Sequence, residues 1–173
     1  KYFDKKNIDA FIKINECYTS QFYSLVTAYT KSFKKSDLKK IKKNISDIKK
    51  LLKDFDDFDK ETKTLLRKKS RNFFYSAYLV LSSGPSYTLK FSDAIKYSTL
   101  SMKEIDSDSR FHESVKLTAI VTRLTAYSVL GNMDEVVNNY YLFKNLAAKH
   151  VNSERGLTNI SFMGPNLAFQ LYA

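Results

Sequence analysis

The first 83 residues contain neither glycine nor proline, and this feature limits the folds open to the chain more than any other. Both residue types interrupt helices and serve in tight turns, so a long stretch without them is typical of helices broken only by polar turns. All 173 residues together contain four glycines and two prolines. That composition argues against a β-sandwich, a barrel or a glycine-rich nucleotide-binding fold, and we expect an all-α protein.

Apolar residues recur at helical spacing from Ile8 to Phe33, which predicts a first long helix. Ser36 and Asp37 then predict an N-cap and a first-turn acid for a second helix. The apolar positions of that helix alternate in steps of three and four: Leu38, Ile41, Ile45, Ile48, Leu52 and Phe55. This seam is too short for a free coiled coil, and we expect it to pack inside its own domain. Facing outward, it would instead be a homodimer surface.

Four further helices follow from the same periodicity. They are expected at about Asp59–Ser82, Ser92–Ile105, Arg110–Leu130 and Met133–His150. The acids between Asp54 and Glu61 suit the N-terminus of the third helix, and Gly131-Asn132 suits a tight turn. We predict one domain over residues 1–173, built from three stacked antiparallel helical hairpins over 8–55, 59–106 and 110–150. An irregular tail over 151–173 includes a short helix from Asn166.

Candidate catalytic and metal-binding residues are few. The single cysteine and two histidines leave little material for a metal centre. His112 beside Glu113 could form half of an acid–base pair, but the sequence suggests no nucleophile near them. Cys17 is interpreted as a buried or half-buried structural thiol. His150 is interpreted as a structural residue, because the helix dipole favours a protonated histidine at a helix C-terminus. We therefore predict no enzyme activity, no catalytic residue, no metal site and no cofactor.

One acidic segment is similar to the opening of a calcium loop, Asp106-Ser107-Asp108-Ser109. The glycine that such a loop requires is absent, and Leu117 stands where the closing glutamate belongs. The segment is interpreted as a turn that caps the fifth helix.

The net charge of +11 is concentrated in the N-terminal part of the chain. Residues 1–72 hold 20 Lys and Arg against 10 Asp and Glu. Many of these lysines lie in the predicted second helix. Acids are interleaved with these lysines and no aromatic residue accompanies them, so a solvated helix face explains them without nucleic acid. Attraction to an anionic membrane surface is a physical alternative.

A tripeptide recurs with a spacing of 49 residues, as Thr27-Ala28-Tyr29, Ser76-Ala77-Tyr78 and Thr125-Ala126-Tyr127. The third copy continues through Gly131-Asn132-Met133-Asp134-Glu135 to Tyr140. This run resembles a tetratricopeptide repeat (TPR), in which an aromatic, a turn glycine, an acidic pair and a second aromatic follow in this order. Val136 and Phe143 depart from the family, which usually has small residues there, and the period is longer than usual.

The resemblance implies a right-handed stack of hairpins whose first helices line a concave surface. Carried over to this sequence, it gives eight partner-binding candidates: Tyr23, Thr27, Lys69, Asn72, Ser76, Thr118, Val121 and Thr125. Their mixed polar and basic character would suit an extended polar or acidic segment.

The function expected from this resemblance is a non-enzymatic scaffold that binds another protein or a peptide. Two alternatives stay open: a fragment of a peptide-responsive regulator of the TPR-receptor kind, and a basic helical domain that binds nucleic acid or anionic lipid. Because residue 1 is lysine, we expect a processed or partial chain, which leaves open whether a targeting segment precedes it. The lysine-rich composition is similar to that of exported spirochaete envelope proteins, which favours an envelope or periplasmic lipoprotein over a cytoplasmic location.

Overall fold

The computed structural model describes residues 7–84, 90–109, 111–154 and 157. Within these ranges the backbone forms seven α-helices, one 3₁₀ turn and no strand, which confirms the all-α class. The helices are α1 (Ile8–Ser32), α2 (Lys35–Asp56), α3 (Lys60–Lys69), α4 (Asn72–Ser83), α5 (Phe91–Ser107), α6 (Lys116–Val129) and α7 (Met133–His150). The expected loop over 85–89, Arg110 itself and the expected short helix from Asn166 lie outside the described residues.

Contacts divide the chain into two compact units, Lys1–Leu89 and Lys90–Ala173. The first unit holds α1 to α4 and the second holds α5 to α7. The expected hairpin over 59–106 crosses the boundary between them. The single domain and the stack of three hairpins therefore stay predictions, and each unit is described by itself.

Aromatic side chains fill the core of the first unit. α1 packs along α2, and α4 packs against both helices. The ring of Phe11 stacks on Phe73 at 5.1 Å between centroids, and Phe55 meets Phe74 edge-on at 4.4 Å. Phe11, Phe73 and Phe74 are each at most 1% exposed. Each such ring removes a large apolar area from water, so this cluster holds the three helices together.

Two cross-helix contacts show that α1 and α4 run in the same direction. Just before α4 begins, the ammonium of Lys69, the last residue of α3, lies 2.9 Å from the carboxylate of Asp9 in the first turn of α1. About one and a half turns further along α1, Asn15 donates through Nδ2 to the carbonyl oxygen of Phe73 at 3.1 Å and to Ser76 Oγ at 3.0 Å. Residue numbers therefore rise along α1 and along the segment that it contacts in the same direction, as they do for parallel helices.

The apolar seam of α2 packs inside the first unit, as expected. Ile41 and Ile48 are fully buried. The buried face is broader than the seam, because Leu51 and Asn44 are also buried while Leu38 and Leu52 are only half-buried. Asn44 is held there by bonds from its Nδ2 to the Tyr18 carbonyl and to Gln21 Oε1, both at 3.1 Å.

The expected cap at the start of α2 is wrong. The helix begins at Lys35, and its N-cap residue Lys34 makes no side-chain capping bond. Asp37 is already inside the helix, where its Oδ2 accepts a bond from Ser32 Oγ at 2.8 Å. Asp37 is therefore the first-turn acid that the sequence predicts, and only the expected N-cap at Ser36 is wrong.

The expected third helix is two helices. Ser70 is extended, with φ −136° and ψ 96°, and separates α3 from α4. The break follows Lys69, whose ammonium pairs with Asp9, 60 residues earlier in the chain. The start of α3 at Asp59 is as expected, because the Asp59 side chain accepts a bond from the Thr62 amide at 2.8 Å.

In the second unit α6 packs against both α5 and α7. The buried residues of α5 are mostly small: Ala94, Ser98, Ser101 and Ile105. The larger side chains of the core come from α6 and α7: Leu117, Ile120, Val121, Leu124, Val136, Phe143 and Leu146. Val136 and Phe143, the two positions that depart from the TPR pattern, are thus core residues.

The expected start of the fifth helix is wrong. α6 begins at Lys116 after the 3₁₀ turn Glu113–Val115. The Asp106–Ser109 segment does not cap it, because α5 continues through Ser107 and His112 Nδ1 accepts the bond from the Ser114 amide. The turn after α6 is as expected: Gly131 has φ +71°, and Asn132 caps α7 by accepting from the Glu135 amide.

Candidate interaction surface

Five partner-binding candidates belong to the first unit, and most of their polar groups are already bonded. Lys69 pairs with Asp9, Ser76 accepts from Asn15, and Thr27 Oγ1 donates to the Tyr23 carbonyl at 2.9 Å. Asn72 is exposed at the start of α4. Ser76 therefore lies in the contact between α1 and α4, whereas Tyr23, Thr27, Lys69 and Asn72 reach solvent.

Tyr23 is the large exposed side chain of this group, at 46%. Its phenol interacts electrostatically with that of Tyr75, one residue before Ser76. Partial loss of water around its phenol raises the pKa of Tyr23, and burial together with the Tyr23 charge raises the pKa of Tyr75 to about 12. Both phenols therefore stay neutral at physiological pH, so this part of the surface offers hydroxyls rather than charge.

The remaining candidates lie on α6 in the second unit and are less accessible. Val121 is 6% exposed and belongs to the core, so its side chain does not line an open surface. Thr118 and Thr125 are half-buried, and Thr125 Oγ1 donates to the Val121 carbonyl at 3.0 Å. The residues of the expected groove thus fall into three environments: exposed, helix-bonded and core.

Both histidines of the chain come together in the second unit, which the sequence did not indicate. Their rings, from His112 and His150, lie 4.9 Å apart between centroids. Glu113 Oε2 lies 2.5 Å from Lys149 Nζ and 3.3 Å from His150 Nε2. The Lys149 bond is the main cause that holds the pKa of Glu113 below its usual value. The cluster joins the turn before α6 to the last turn of α7.

A serine hydroxyl also lies beside His112, where the sequence suggested no nucleophile. Ser114 Oγ is 2.6 Å from His112 Nδ1. Ser114 is 0% exposed, and the Glu113 carboxylate bonds Lys149 and His150 instead of His112. The hydroxyl and the imidazole therefore act as a helix-start cap rather than as an open Ser–His pair.

Cys17 is exposed, so its expected burial is wrong.

The acidic segment near residue 106 borders a cavity of about 160 Å³ with mixed charge. Asp106 and Glu113 on its wall both pair with Lys116. Among the described residues, no group of three or more His, Cys, Asp or Glu side chains is arranged to hold a metal ion.

Five lysines form a row along the outer side of α2, and Ser46 interrupts this row between Lys42 and Lys50. Helical spacing of about 100° per residue places them within roughly 60° of one direction, opposite the buried face: Lys35, Lys39, Lys42, Lys50 and Lys53. All five are exposed. Lys40 and Lys43, beside this row, instead pair with Asp37 and Asp47. We call the five residues the lysine row.

The most accessible apolar surface of the second unit lies where α6 turns into α7. It consists of five side chains that are 57%, 54%, 61%, 49% and 55% exposed: Val129, Leu130, Met133, Val137 and Tyr141. We call these residues the apolar patch. Met133, Val137 and Tyr141 are spaced by four residues and so form one line along α7. Exposed apolar side chains that lie together on a protein surface are a common mark of an interaction site.

The sequence of α7 indicates this patch, because the helix has more apolar residues than its buried face uses. Val136, Asn139, Phe143 and Leu146 already supply a complete buried face for α7. Met133, Val137 and Tyr141 lie on the solvent side of that helix, so its apolar arc is wider than one packed face needs. Adjacent valines at 136 and 137 point about 100° apart, and only the first is buried.

Comparisons with known proteins do not assign a role to either surface. No protein-family model matches the chain, and neither a curated protein nor a solved structure matches it. A search of the described helices for one long and apolar enough to cross a membrane found none. The assignment of function therefore depends on the two exposed surfaces, the apolar patch and the lysine row.

Proposed function

We propose that this chain is a non-enzymatic, TPR-like interaction module that binds another protein through the apolar patch. The observation that carries the proposal is the exposure of five large apolar side chains at the α6–α7 turn and along α7. Covering them would remove a substantial apolar area from water, which favours association. The polar residues beside them, Asp134, Asn138 and Lys144, would form the rim of such an interface.

The packing inside each unit supports the TPR-like part of the proposal. In stacked hairpins the first helices of successive pairs lie parallel, and each packs against both helices of the pair before it. In the first unit α4 contacts both α1 and α2, and its contacts with α1 run in parallel. In the second unit α6 packs on the helix before it and the helix after it.

The partner expected at the patch is an amphipathic segment, with apolar side chains at helical spacing and polar flanks. A line of three side chains four residues apart matches the groove-filling face of such a helix. The exposed members of the expected groove, Tyr23, Thr27, Lys69 and Asn72, would offer hydroxyl, amide and ammonium groups to an extended peptide.

The test is capture of partner proteins from native lysate by three forms of the full chain. Val137→Lys places a charge in the patch, and Leu142→Lys is its matched control. Leu142 is 41% exposed on the same helix, about 140° around the axis from Val137. We expect wild type and Leu142→Lys to retain the same protein after a high-salt wash, and Val137→Lys to lose it. Equal retention by all three forms would contradict the proposal.

The lysine row favours a second candidate function, which is binding to an anionic surface or polymer. None of Lys39, Lys42, Lys50 and Lys53 makes an ion pair with a described residue. A straight row of uncompensated ammonium groups attracts lipid headgroups or nucleic-acid phosphates. This attraction is screened by salt, so ligands that are retained only at low salt would support the second candidate over the first.

We further propose that the protein acts at the cell envelope as an exported factor, with a cytoplasmic, peptide-responsive regulator as the alternative. The full gene separates the two proposals. An encoded signal sequence before Lys1 would support the envelope factor, and an encoded helix-turn-helix would support the regulator.

A further inference from the structure

The surface of α7 around the apolar patch has a symmetry that a single foreign partner does not require. Val137 and Tyr141 lie two residues on either side of position 139. Asp134 and Lys144, an acid and a base, lie five residues on either side of it. If a second α7 helix runs antiparallel and is centred at the same position, Val137 therefore lies opposite Tyr141, and Asp134 lies opposite Lys144.

The two charged residues are also accessible to a partner. Asp134 and Lys144 make no ion pair with any residue in the described part of the chain. They are exposed on the side of the helix that carries Met133, Val137 and Tyr141. Their separation along the helix is about 15 Å, so they do not pair with each other. Both charges are therefore available to pair with an opposite charge on another molecule.

We propose that the apolar patch is covered by a second copy of this chain, with the two α7 helices packed antiparallel. The two-fold axis passes at the level of position 139. Val137 of each copy packs against Tyr141 of the other, and Asp134 of each copy pairs with Lys144 of the other. This inference rests on the proposed function, because it names the protein that occupies the same patch.

Charge disposition selects this arrangement over the parallel one. A parallel pair in register would bring Asp134 to Asp134 and Lys144 to Lys144, which repel. The antiparallel pair converts both repulsions into attractions and also opposes the two helix dipoles. Isologous two-fold contacts require this kind of self-complementary surface, in which residue i meets j and j meets i.

The expected dimer is weak, because the contact is centred on one helix of each copy. We expect a Kd on the order of 1–100 μM, as for small transient interfaces. Each copy also carries a net charge of +11, so the two chains repel at long range when the salt concentration is low. Dimerisation should therefore be stronger at about 150 mM salt than at about 10 mM, where the Debye length is near 30 Å.

Sedimentation equilibrium of the full chain, from about 1 to 500 μM, tests the proposal. Asp134→Lys and Lys144→Asp each replace two attractive contacts per dimer with repulsive ones. We expect each variant to raise the Kd about 3- to 30-fold. Combining the two changes exchanges the charges and restores the attraction, so the double variant should return to within about 3-fold of wild type.

Leu142→Lys serves as the control and should dimerise like wild type, whereas Val137→Lys should stay monomeric. A wild-type chain that stays monomeric throughout would overturn the inference, whether another protein or residues 158–173 cover the patch. A dimer that the double charge exchange weakens further would overturn it as well. Failure of the proposed function gives a different result from failure of the dimer. If the proposed function is wrong, Val137→Lys and Leu142→Lys capture the same proteins from lysate.

Discussion

Glu113 and His150 meet across the second unit, with 3.3 Å between the Glu113 carboxylate Oε2 and His150 Nε2. Lys149 bonds the same oxygen, so the turn before α6 and the last turn of α7 share one anionic anchor. The sequence separates Glu113 from His150 by 37 residues. The contact fixes the C-terminal end of α7, the helix that carries most of the apolar patch.

The first prediction concerns the pH dependence of this anchor. The pKa of Glu113 is lowered in the folded state, chiefly by the Lys149 bond and also by the His150 bond. Its contribution to stability is therefore present above its unfolded pKa near 4.5 and lost as the pH falls through the lower folded pKa. We expect Glu113→Gln to destabilise the protein by roughly 0.2–1 kcal/mol at pH 7.

Thermal unfolding at pH 7 and at pH 3 checks this prediction. The difference between wild type and Glu113→Gln should shrink at the lower pH. Glu16→Gln is the control, because Glu16 is exposed and makes no ion pair with a described residue. A difference that is equally large at pH 3 would show that Glu113 stabilises the turn by something other than its charge.

The second prediction concerns Asn15, which is 1% exposed and bonds both Phe73 and Ser76. Asn15→Ala removes two cross-helix bonds and leaves a buried gap between α1 and α4. We expect a loss of about 2–3 kcal/mol in urea unfolding. Ser76→Ala removes only one of the two bonds and should cost about 1 kcal/mol. Similar costs for both changes would contradict the importance of the bond to the Phe73 carbonyl.

The third prediction concerns Phe33, which ends α1 with φ +50° and is 74% exposed. A left-handed conformation is unfavourable for a side chain with a Cβ, and glycine usually fills this position at a helix end. We expect Phe33→Gly to stabilise the protein by about 0.5–1 kcal/mol. Phe33→Ala keeps the strain and loses the ring contact with Tyr29, so it should not stabilise. Chemical denaturation compares the two variants.

The fourth prediction uses the neighbouring valines of α7. Val136 is 6% exposed and part of the core, whereas Val137 is 49% exposed. Val136→Lys buries an unpaired charge and should cost about 3 kcal/mol or more. Val137→Lys should change stability by no more than about 0.5 kcal/mol. Circular dichroism melts of the two variants test this, and equal destabilisation would mean that the patch belongs to the core.

The fifth prediction concerns the lysine row. Replacing Lys39, Lys42 and Lys50 with glutamate should abolish any binding of the chain to anionic vesicles or to oligonucleotides. If all five lysines contact phosphates, affinity should fall roughly 10²- to 10³-fold between 50 and 200 mM salt. Cosedimentation with anionic and with neutral vesicles measures the effect. Binding that is insensitive to both salt and the substitutions would exclude the row as the contact.

Much of the fold followed from local patterns, and the departures have identifiable causes. Period and turn residues were sufficient for α1, α2 and α7, and for the Gly131 turn. The break at Ser70 and the late start of α6 were missed because both depend on side chains distant in sequence or on competing local bonds. His112 capping its own turn through an imidazole nitrogen is one such bond.

The candidate site was harder to predict than the fold, because exposure depends on which face of each helix finds a neighbour. Val121 was assigned to a groove by position within the TPR pattern, yet it packs in the core. The sequence made no prediction for Val137, and half of its surface is exposed. Both environments come from the tertiary packing of α6 and α7, which a single period does not encode.

The most direct test of the central claim, that α7 presents a protein-binding surface, is site-specific photo-crosslinking in the native cell. A photoreactive amino acid is placed at position 137 in one form of the full chain and at position 142 in another. The account predicts one discrete protein adduct from position 137 and none from position 142; a second copy of the chain in that adduct would identify the dimer. Equal adducts from both positions, or none from position 137, would contradict the claim.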